Sequence, residues 1–511
     1  MRPRLIGGEM LLWSDLDGIR GPAPVGGTAL PRLLSAVTGR TLVVGPHEPS
    51  LVDAIPTGDV TVLVRGLADA EALSARYAQR PGRSVWCGSL EKLAATPAYD
   101  TVVALDGFGR VFSAETVDLS WQDTLNLLLA VLRPQGRLLL GMENLAGLHR
   151  LVMLPREPGD GEWTTADEYD DTRPAGASQL RHRLERAGLD VIGHYAAFPA
   201  PGTPTALFGG DILTDPRVGG FLAATVGSAG SPAGPVLADA GRLASRVARH
   251  GLAAELAPGW VVVARRPSDG PAEPTPEAVV AGGAEVHEVH RDAAGRWIRR
   301  AVDTGEAETL PLGPTLEDRL LSASLRHDLP TLRGLLMSWQ AGPAAGVPAD
   351  RIVAGDGERW HALAPAQEPA AALRRFAATV IEGGLSYLWP APADEIELTS
   401  LIAAMAGRQF DAAQLAATVP QATRPDVQAV RELTMTRDRL LRELAEARAE
   451  REWYEQALTA RETALKRAHR LNAVLSATVP GRAAIGALRM VRGSGRFLRA
   501  TVRRRDPGRQ P

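Results

Sequence analysis

The stretch RTLVVGPHEPS, residues 40 to 50, decides the fold of the first half of the chain. Its apolar run TLVV predicts a buried strand, and the glycine, prolines and charged residues after it predict a tight turn. Similar runs rich in Val and Leu recur at DVTVLVRG (59–66), RSVWCGSL (83–90), YDTVVALDGF (99–108) and GRLLLGMEN (136–144). Helix-compatible stretches separate several of these runs. Alternating strands and helices predict a doubly wound α/β fold with a parallel sheet.

The composition limits the class of protein. A chain of 511 residues, 45% apolar and 23% charged, is long enough for two or three cores. Its net charge of −2 argues against nucleic acid as a partner. The single cysteine, Cys87, excludes a disulfide framework and a cysteine-based metal site. The sequence has neither an apolar run of about 18 residues nor the apolar core of a signal peptide, so we expect a cytoplasmic protein.

Changes of composition along the chain predict its segments. They are an N-terminal segment (1–39), the α/β domain (40–266), a Pro-rich linker (267–279), an accessory α+β domain with two hairpins (280–412), a helical coiled coil (426–476) and an Arg-rich amphipathic tail (480–511). The coiled coil follows from a 3,4 spacing of apolar residues without Gly or Pro. Polar residues interrupt this spacing at Arg437, Arg451, Arg461 and Asn472. The helix could therefore form a homodimer, bind a partner helix or pack on the body of the protein.

The residues after each strand are the ones to inspect for a ligand site. In an open parallel sheet the ligand lies at the carboxyl ends of the strands, where strand order reverses. A dinucleotide site requires G-x-G-x-x-G after the first strand, and only Gly45 is present there. S-adenosylmethionine has no pyrophosphate, so one close backbone approach suffices. Asp106 could face the positively charged methionine end of this cofactor or orient the acceptor, or it could simply cap a turn before Gly107.

Several segments resemble class I S-adenosylmethionine-dependent methyltransferases. They are LRPQGRLLL (132–140), in which a Gly-containing turn precedes the fifth strand, and LERAGLDVI (184–192) with GWVVVARR (259–266), which resemble the last helix and the antiparallel final hairpin. ENLAGLHRLV (143–152) resembles the E-N-x-x-G-L segment of a bacterial subgroup often associated with surface-glycan loci. The segments from residue 280 onward resemble C-terminal extensions of actinobacterial relatives. The resemblance implies a Rossmann-like sheet with an antiparallel final strand, and O-methylation of a sugar, a surface glycan or a related small acceptor.

The resemblance also implies roles for individual residues near the cofactor. Gly45 matches the first glycine of the cofactor loop, whereas His47 and Pro49 stand where the family has its next two glycines. Val64 stands near the usual ribose acid, and Ser89 near the usual Asp of the third strand. Each lost ribose or adenine contact would cost about 1 to 3 kcal/mol, so these departures predict weak or lost cofactor binding. The predicted cofactor-binding residues are Gly45, His47, Gly88, Ser89 and Asp106.

Asp106, Glu143 and His149 are the predicted catalytic residues. Glu143 matches the family segment after the fifth strand, together with Asn144, although both could instead cap a helix. A base is needed only if the acceptor loses a proton during methyl transfer. His149 and Asp106 are candidates for it; His194 is a third, but a histidine within a strand is commonly structural.

The acidic run DEYDD (167–171) contains neither His nor Cys. It therefore predicts a solvated loop, and we expect no metal.

An alternative function is a methyltransferase-fold scaffold without catalysis. Such a protein would use its coiled coil and basic tail to recruit a partner or to reach the anionic inner face of the membrane. The missing glycines and ribose acid favour the scaffold, whereas the polar strand ends favour the enzyme.

The tail predicts salt-sensitive binding to anionic lipid vesicles. Residues 480–511 contain nine Arg and one Asp, interleaved with apolar residues, and each Arg near a membrane surface contributes about 1 kcal/mol. Co-sedimentation with phosphatidylserine-containing vesicles should therefore decrease when these residues are deleted. Equal co-sedimentation of the full and the truncated chain would contradict a membrane role for the tail.

Overall fold

The structure is a computed structural model that describes residues 2–19, 21–116, 119–152, 170–228, 240–268, 275–282, 285–355, 359–382, 385, 389, 395–411, 414–415, 427–477 and 483. The chain divides into two units, Met1–Val427 and Gln428–Pro511. Across the described residues, no helix combines the length and apolarity needed to cross a membrane.

The first unit contains fifteen strands in its described part. They are β1 (Arg4–Gly7), β2 (Thr41–Val44), β3 (Val60–Val64), β4 (Arg83–Gly88), β5 (Tyr99–Ala104), β6 (Leu132–Glu143), β7 (Asp190–Phe198), β8 (Ala206–Gly209), β9 (Gly259–Arg265), β10 (Ala278–Gly282), β11 (Glu285–Arg291), β12 (Trp297–Ala301), β13 (Ala307–Thr309), β14 (Ile352–Ala354) and β15 (Trp360–Ala362).

The described α-helices alternate with the strands in the first half of the chain, and those of the second half come after β13. They are α1 (Leu30–Leu34), α2 (Pro49–Asp53), α3 (Leu67–Arg76), α4 (Trp121–Val131), α5 (Leu148–Val152), α6 (Ala177–Arg186), α7 (Gly210–Thr214), α8 (Gly219–Ser228), α9 (Ala240–Arg249), α10 (Leu316–Leu325), α11 (Leu329–Ala341), α12 (Pro369–Glu382), α13 (Glu395–Met405) and α14 (Val427–Ala477).

One sheet of thirteen strands organises the first unit, in the order β1-β4-β3-β2-β5-β6-β9-β7-β8-β10-β11-β12-β13. The first six strands in this order are mutually parallel. β9 lies antiparallel between β6 and β7. The structure therefore confirms a large parallel-rich sheet, with an antiparallel last strand in its α/β part.

The central strands are buried on both faces, which explains their continuous apolar runs. In β2, Val43 packs into the core on one face, together with α1, α2 and α3. Its neighbours Leu42 and Val44 pack into the core on the other face, together with α4 and α6. This alternation follows from the two-residue period of a strand, and it fixes the register of the sheet.

The strands expected in a separate accessory domain extend the main sheet instead. β10, whose first residues belong to the predicted linker, pairs antiparallel with β8, and β11 to β13 continue the sheet. The open edge of β8 has backbone groups that need hydrogen-bond partners, and β10 supplies them. Trp297 and Val289 pack with Phe208 and Phe221 in one core. The helices α10 to α13 have a core of their own, which includes Trp339.

The second unit contains α14, which accounts for the predicted long helix. The coiled coil stays a prediction. The Arg-rich tail lies outside the described residues except for Ala483.

Gly141 in β6 is required by the close approach of β5. A Cβ atom at residue 141 would lie 1.9 Å from the carbonyl oxygen of Leu105, which belongs to the backbone and cannot rotate away. We expect Gly141→Ala to lower the free energy of unfolding by about 3 kcal/mol or more. Gly334 lies inside α11 with open space around it, so Gly334→Ala should raise stability by about 0.5 to 1 kcal/mol. Urea unfolding followed by tryptophan fluorescence measures both, and similar effects of the two substitutions would contradict this packing.

Candidate functional site

Strand order reverses between β2 and β5, because the chain runs outward from β2 to β3 and β4 before returning to β5. The loops after these two strands border the crevice where open α/β sheets bind ligands. Gly45 follows β2 with a φ of +89°, and a Cβ atom there would lie 3.6 Å from Cβ of Asp106, which follows β5. The fold thus brings together two of the residues predicted to bind the cofactor.

His47 is buried beneath this crevice and connects its two sides. Its Nε2 accepts a hydrogen bond from the backbone N–H of Leu105 at 3.2 Å, so Nδ1 carries the proton and donates to the carbonyl of Gly45 at 3.1 Å. Burial lowers the pKa of His47 to about 4, despite the opposing effect of the Gly45 hydrogen bond. A neutral imidazole therefore occupies the position at which the methyltransferase family has a glycine.

Asp106 faces an arginine of its own chain. Arg110 Nε donates to Oδ2 of Asp106 at 2.9 Å, and its Nη2 donates to Oδ1. The same guanidinium donates to the carbonyls of Pro22 at 2.5 Å and Ala23 at 3.1 Å. Burial raises the pKa of Asp106, and the charge of Arg110 opposes the rise. The carboxylate predicted to face the cofactor is thus paired with an arginine that also binds residues between β1 and β2.

Arg65 follows β3, near the point where the family has an acid for the ribose. Its Nε and Nη2 donate to the two carboxylate oxygens of Asp15, each at 2.8 Å. Both side chains are only 6% exposed, and such a bidentate pair is strong and geometrically specific. No sequence pattern singles out Asp15. The available signal is Arg65 itself, because a buried guanidinium requires an acid as its partner.

Asp69, in the first turn of α3, holds the same N-terminal residues. Its Oδ1 accepts from the Ser14 hydroxyl at 2.5 Å, and its Oδ2 accepts from the backbone N–H of Asp15 at 2.7 Å. The N–H of Met10 donates to the carbonyl of Arg65 at 2.9 Å. The N-terminal segment is therefore fixed to the end of β3 by side-chain and backbone contacts.

We call residues 8–27 the strap; residue 20 within it lies outside the described residues. Its C-terminal part exchanges backbone hydrogen bonds with the loop after β2, from Val25 to Pro46 at 2.9 Å and from Glu48 to Val25 at 2.7 Å. The N–H of Gly26 then donates to the carbonyl of Gly202, after β7, at 2.8 Å. The strap therefore crosses the carboxyl ends of β3, β2 and β5, where a ligand would enter.

Gly88 and Ser89, at the end of β4, also contact the chain itself. A Cβ atom at Gly88 would lie 2.4 Å from the carbonyl oxygen of Gly7 in β1. The buried Ser89 hydroxyl donates to the carboxylate of Glu91 and lies 3.1 Å from the Thr116 hydroxyl. Gly88 and Ser89, like Gly45, His47 and Asp106, thus contact other residues of this chain.

Glu143 and His149 form a pair at the end of β6 and the start of α5. Nε2 of His149 lies 2.9 Å from Oε1 of Glu143, and Arg150 Nε donates to the same oxygen at 2.8 Å. Burial acts to raise the pKa of Glu143, but these two neighbours outweigh it and hold the pKa at about 2. Glu143 is therefore too weak a base to take a proton at neutral pH, but it orients the imidazole. Nδ1 of His149 is buried without a hydrogen-bond partner in the described part of the chain.

Asn144 has a structural position beside this pair. Its amide nitrogen donates to the carbonyls of Glu255 at 2.7 Å and Ala257 at 2.9 Å, and its oxygen accepts from the N–H of Ala146 at 3.0 Å. These bonds tie the loop before β9 to the end of β6.

His194 lies in the middle of β7, away from the strand ends that form the crevice. Burial lowers the pKa of His194 to about 4.

The acidic run 167–171 is described only at its last two residues. Asp170 accepts hydrogen bonds from the N–H groups of Trp121 at 2.5 Å and Thr172 at 2.8 Å, so it holds the start of α4. Among the residues that the structure describes, no three His, Cys, Asp or Glu side chains are grouped closely enough to hold a metal ion.

Comparisons with known proteins find similarity among solved structures alone: no family model and no curated protein matches the chain. The chain is similar to the CurJ carbon methyltransferase, with 12% identity and a TM-score of 0.25 over 45% of this chain and 48% of that one. It thus spans about half of that chain. The 1,6-didemethyltoxoflavin-N1-methyltransferase of Burkholderia thailandensis is similar at 14% identity and a TM-score of 0.24, over 47% of this chain and 77% of that one.

An S-adenosylmethionine-dependent methyltransferase from Mesorhizobium loti is similar at 15% identity and a TM-score of 0.25, over 47% of this chain and 99% of that one.

The buried His47 predicts a loss of stability in mild acid. Its pKa is about 4 in the folded protein and 6.5 as the ordinary value, so the unfolded chain binds an extra proton as the pH falls below 6.5. Between pH 7 and pH 4.5 this proton uptake should lower the free energy of unfolding of the wild type by about 2 to 3 kcal/mol. The variant His47→Gln has no imidazole and does not lose this stability. The destabilisation caused by His47→Gln, measured by urea unfolding, should therefore be smaller at pH 4.5 than at pH 7. An equal effect at both pH values would contradict the neutral, buried imidazole.

Proposed function

We propose that this chain is an S-adenosylmethionine-dependent methyltransferase whose cofactor edge is closed by the strap, which moves before the cofactor binds. The observation that carries the proposal is the sheet order β4-β3-β2-β5-β6-β9-β7 with β9 antiparallel to both neighbours. This is the antiparallel final hairpin that the sequence resemblance implies. Gly45, in its left-handed turn, and Asp106 lie at the switch point of this sheet.

The closed arrangement does not fit the cofactor. The pair of Arg65 with Asp15 lies near the ribose position, and Arg110 takes the carboxylate of Asp106. With the strap displaced, Gly45 would permit a close backbone approach and Asp106 could face the positively charged sulfonium end. The end of β3 would still lack an acid, which supports weak binding.

The exposed side chains of the strap support its displacement. Leu11, Leu12 and Ile19 are between 67% and 89% exposed, whereas Trp13 and Val25 are buried. Full burial of such a side chain would contribute about 1.5 to 3 kcal/mol, and the strap forgoes this stabilisation at three positions. Polar contacts rather than a continuous core therefore hold much of the strap in place.

The energy of the buried ion pair sets the expected effect on cofactor affinity. Breaking such a pair so that one partner stays buried costs about 3 to 5 kcal/mol. Micromolar binding corresponds to about 8 kcal/mol. A strap that must open would therefore weaken micromolar binding by roughly a hundredfold to several thousandfold.

The chain offers one candidate proton acceptor beside the site. When bound, S-adenosylmethionine supplies the methyl group, and positioning of the acceptor accounts for most of the rate. His149 is oriented through Nε2 by the ionised Glu143, and its buried Nδ1 could accept a hydroxyl proton once the residues that cover it move. The E-N-x-x-G-L resemblance of the segment beginning at Glu143 supports a sugar, a surface glycan or a related small molecule as acceptor.

A second candidate function is the non-catalytic scaffold. The internal contacts of all five predicted cofactor residues, and Arg65 near the position of an acid, favour it. In this case the strap is a permanent part of the fold, and α14 and the basic tail recruit partners or the membrane surface.

Calorimetry with a weakened strap distinguishes the two functions. The double variant Asp15→Asn, Arg65→Gln removes both charges of the buried pair and, because Gln is shorter than Arg and lacks its guanidinium, also removes the bidentate contact. A matched control, Asp59→Asn with Arg40→Gln, changes an exposed pair in the same way. We expect wild type and control to bind S-adenosylmethionine and its demethylated product in the millimolar range, and the strap variant to bind at least tenfold more tightly.

Two outcomes would contradict the proposal in different ways. A strap variant that is folded by circular dichroism but binds neither ligand at millimolar concentration would overturn the enzyme and leave the scaffold. Micromolar binding by the wild type would retain the enzyme but overturn closure by the strap.

A further inference from the structure

The long helix α14 carries an exposed apolar stripe along one face. Its members lie at positions of one 3,4 spacing and are between 46% and 61% exposed: Leu440, Leu444, Tyr454, Leu458 and Leu465. We call this stripe, with the residues Ala447, Arg451 and Arg461 that lie in line with it, the seam. The described residues of the second unit, 428–477 and 483, contain no further element that could cover it. A seam of this spacing is the surface that helices use to form coiled coils.

We infer that the seam binds the same helix of a second copy of this chain, in antiparallel orientation. Arg451 of each copy then lies against Tyr454 of the other. The inference does not depend on whether the chain binds a cofactor.

The charges of the seam exclude a parallel pair. In a parallel homodimer each seam residue faces its own copy, so Arg451 would face Arg451 and Arg461 would face Arg461. Glu450 and Glu455, which flank the seam, would also meet across the interface. Like charges facing each other in this way are destabilising.

The antiparallel arrangement replaces these repulsions with favourable contacts. Arg451 meets the ring of Tyr454, a cation–π geometry that contributes about 0.5 to 1 kcal/mol at an exposed site. Arg461 meets Leu444, along which its aliphatic stem can pack. Beside the seam, Arg448 of one copy approaches Glu455 of the other, which also pairs with Arg451 of its own helix at 3.0 Å.

One alignment of the two helices satisfies all these contacts. It pairs Leu440 with Leu465, Leu444 with Arg461, Ala447 with Leu458 and Arg451 with Tyr454. A shift by one heptad in one direction places Arg451 opposite Arg461, and a shift in the other places Arg437 opposite Arg461. The favoured alignment is symmetric about the bond between Glu452 and Trp453, which is within one residue of the middle of Val427–Ala477. The helices therefore overlap along their full length, about 77 Å at 1.5 Å per residue.

A second copy is favoured over an unrelated helix because the pattern is self-complementary. A twofold axis repeats every contact, so the Arg448–Glu455 and Arg451–Tyr454 pairs each form twice from the same surface. A foreign partner would need to supply this pattern independently.

Cysteine crosslinking of the full chain tests the alignment. Ala447→Cys and Leu458→Cys are prepared as separate variants, and the native Cys87 stays in place because it is buried. After subunit exchange and mild oxidation, the mixture should give at least five times more covalent dimer than either variant alone. A parallel pair would instead crosslink each variant with itself, and that result would overturn the proposal.

Sedimentation velocity tests the second copy itself. We expect the wild type to be a dimer at micromolar concentration and Leu458→Glu to raise the dimer dissociation constant at least a hundredfold. Gln456→Glu introduces the same charge on the outer face of α14 and should leave the dimer intact. A monomeric wild type at tens of micromolar, or equal effects of the two substitutions, would overturn the proposal.

Discussion

The need to neutralise one buried guanidinium shapes the edge of the sheet where β2, β3 and β5 end. Arg65 follows β3 in an environment that excludes water, so its guanidinium requires an acid as its partner. The chain supplies Asp15 from about fifty residues earlier. Bringing Asp15 to Arg65 lays the N-terminal segment across the neighbouring strand ends, where Arg110 and the loop after β2 hold it. A single electrostatic requirement thus determines which surface of the protein is covered.

The two carboxylates predicted for catalysis, Asp106 and Glu143, show how different surroundings shift the pKa values of two carboxyl groups in opposite directions. Burial raises the pKa of Asp106, and Arg110 opposes this rise, whereas His149 and Arg150 lower the pKa of Glu143 to about 2. Pairs of groups whose surroundings push their pKa values apart often mark acid–base sites. In this protein Glu143 stays ionised and holds the imidazole of His149 through Nε2.

The sequence was sufficient to predict the central strands of the sheet, because a strand that is buried on both faces has a continuous run of apolar residues. Runs such as Leu42 to Val44 are continuous in apolar residues, and the order of such runs predicts the alternation of strands and helices. Residues 8–27 have no such period. Several of their contacts are with residues about fifty or more positions away, such as Arg65 and Arg110, and no local pattern reveals contacts of this kind. The joining of β10 to β8 was equally hidden, because an open strand edge has no side-chain pattern.

The two ends of the strap differ in how firmly they are attached. At one end β1 pairs with β4, with a shift of register between Leu5 and Gly7, whereas the other end is held by hydrogen bonds to the loops after β2 and β7 and by the buried side chain of Val25. A strap that detaches from the strand ends stays tethered on both sides, because the chain continues into β1 before it and into α1 after it. It therefore competes with any ligand of this edge as an intramolecular group, at a local concentration fixed by the length of the chain. Diluting the protein would not relieve this competition, so the balance between open and closed forms is a property of each molecule.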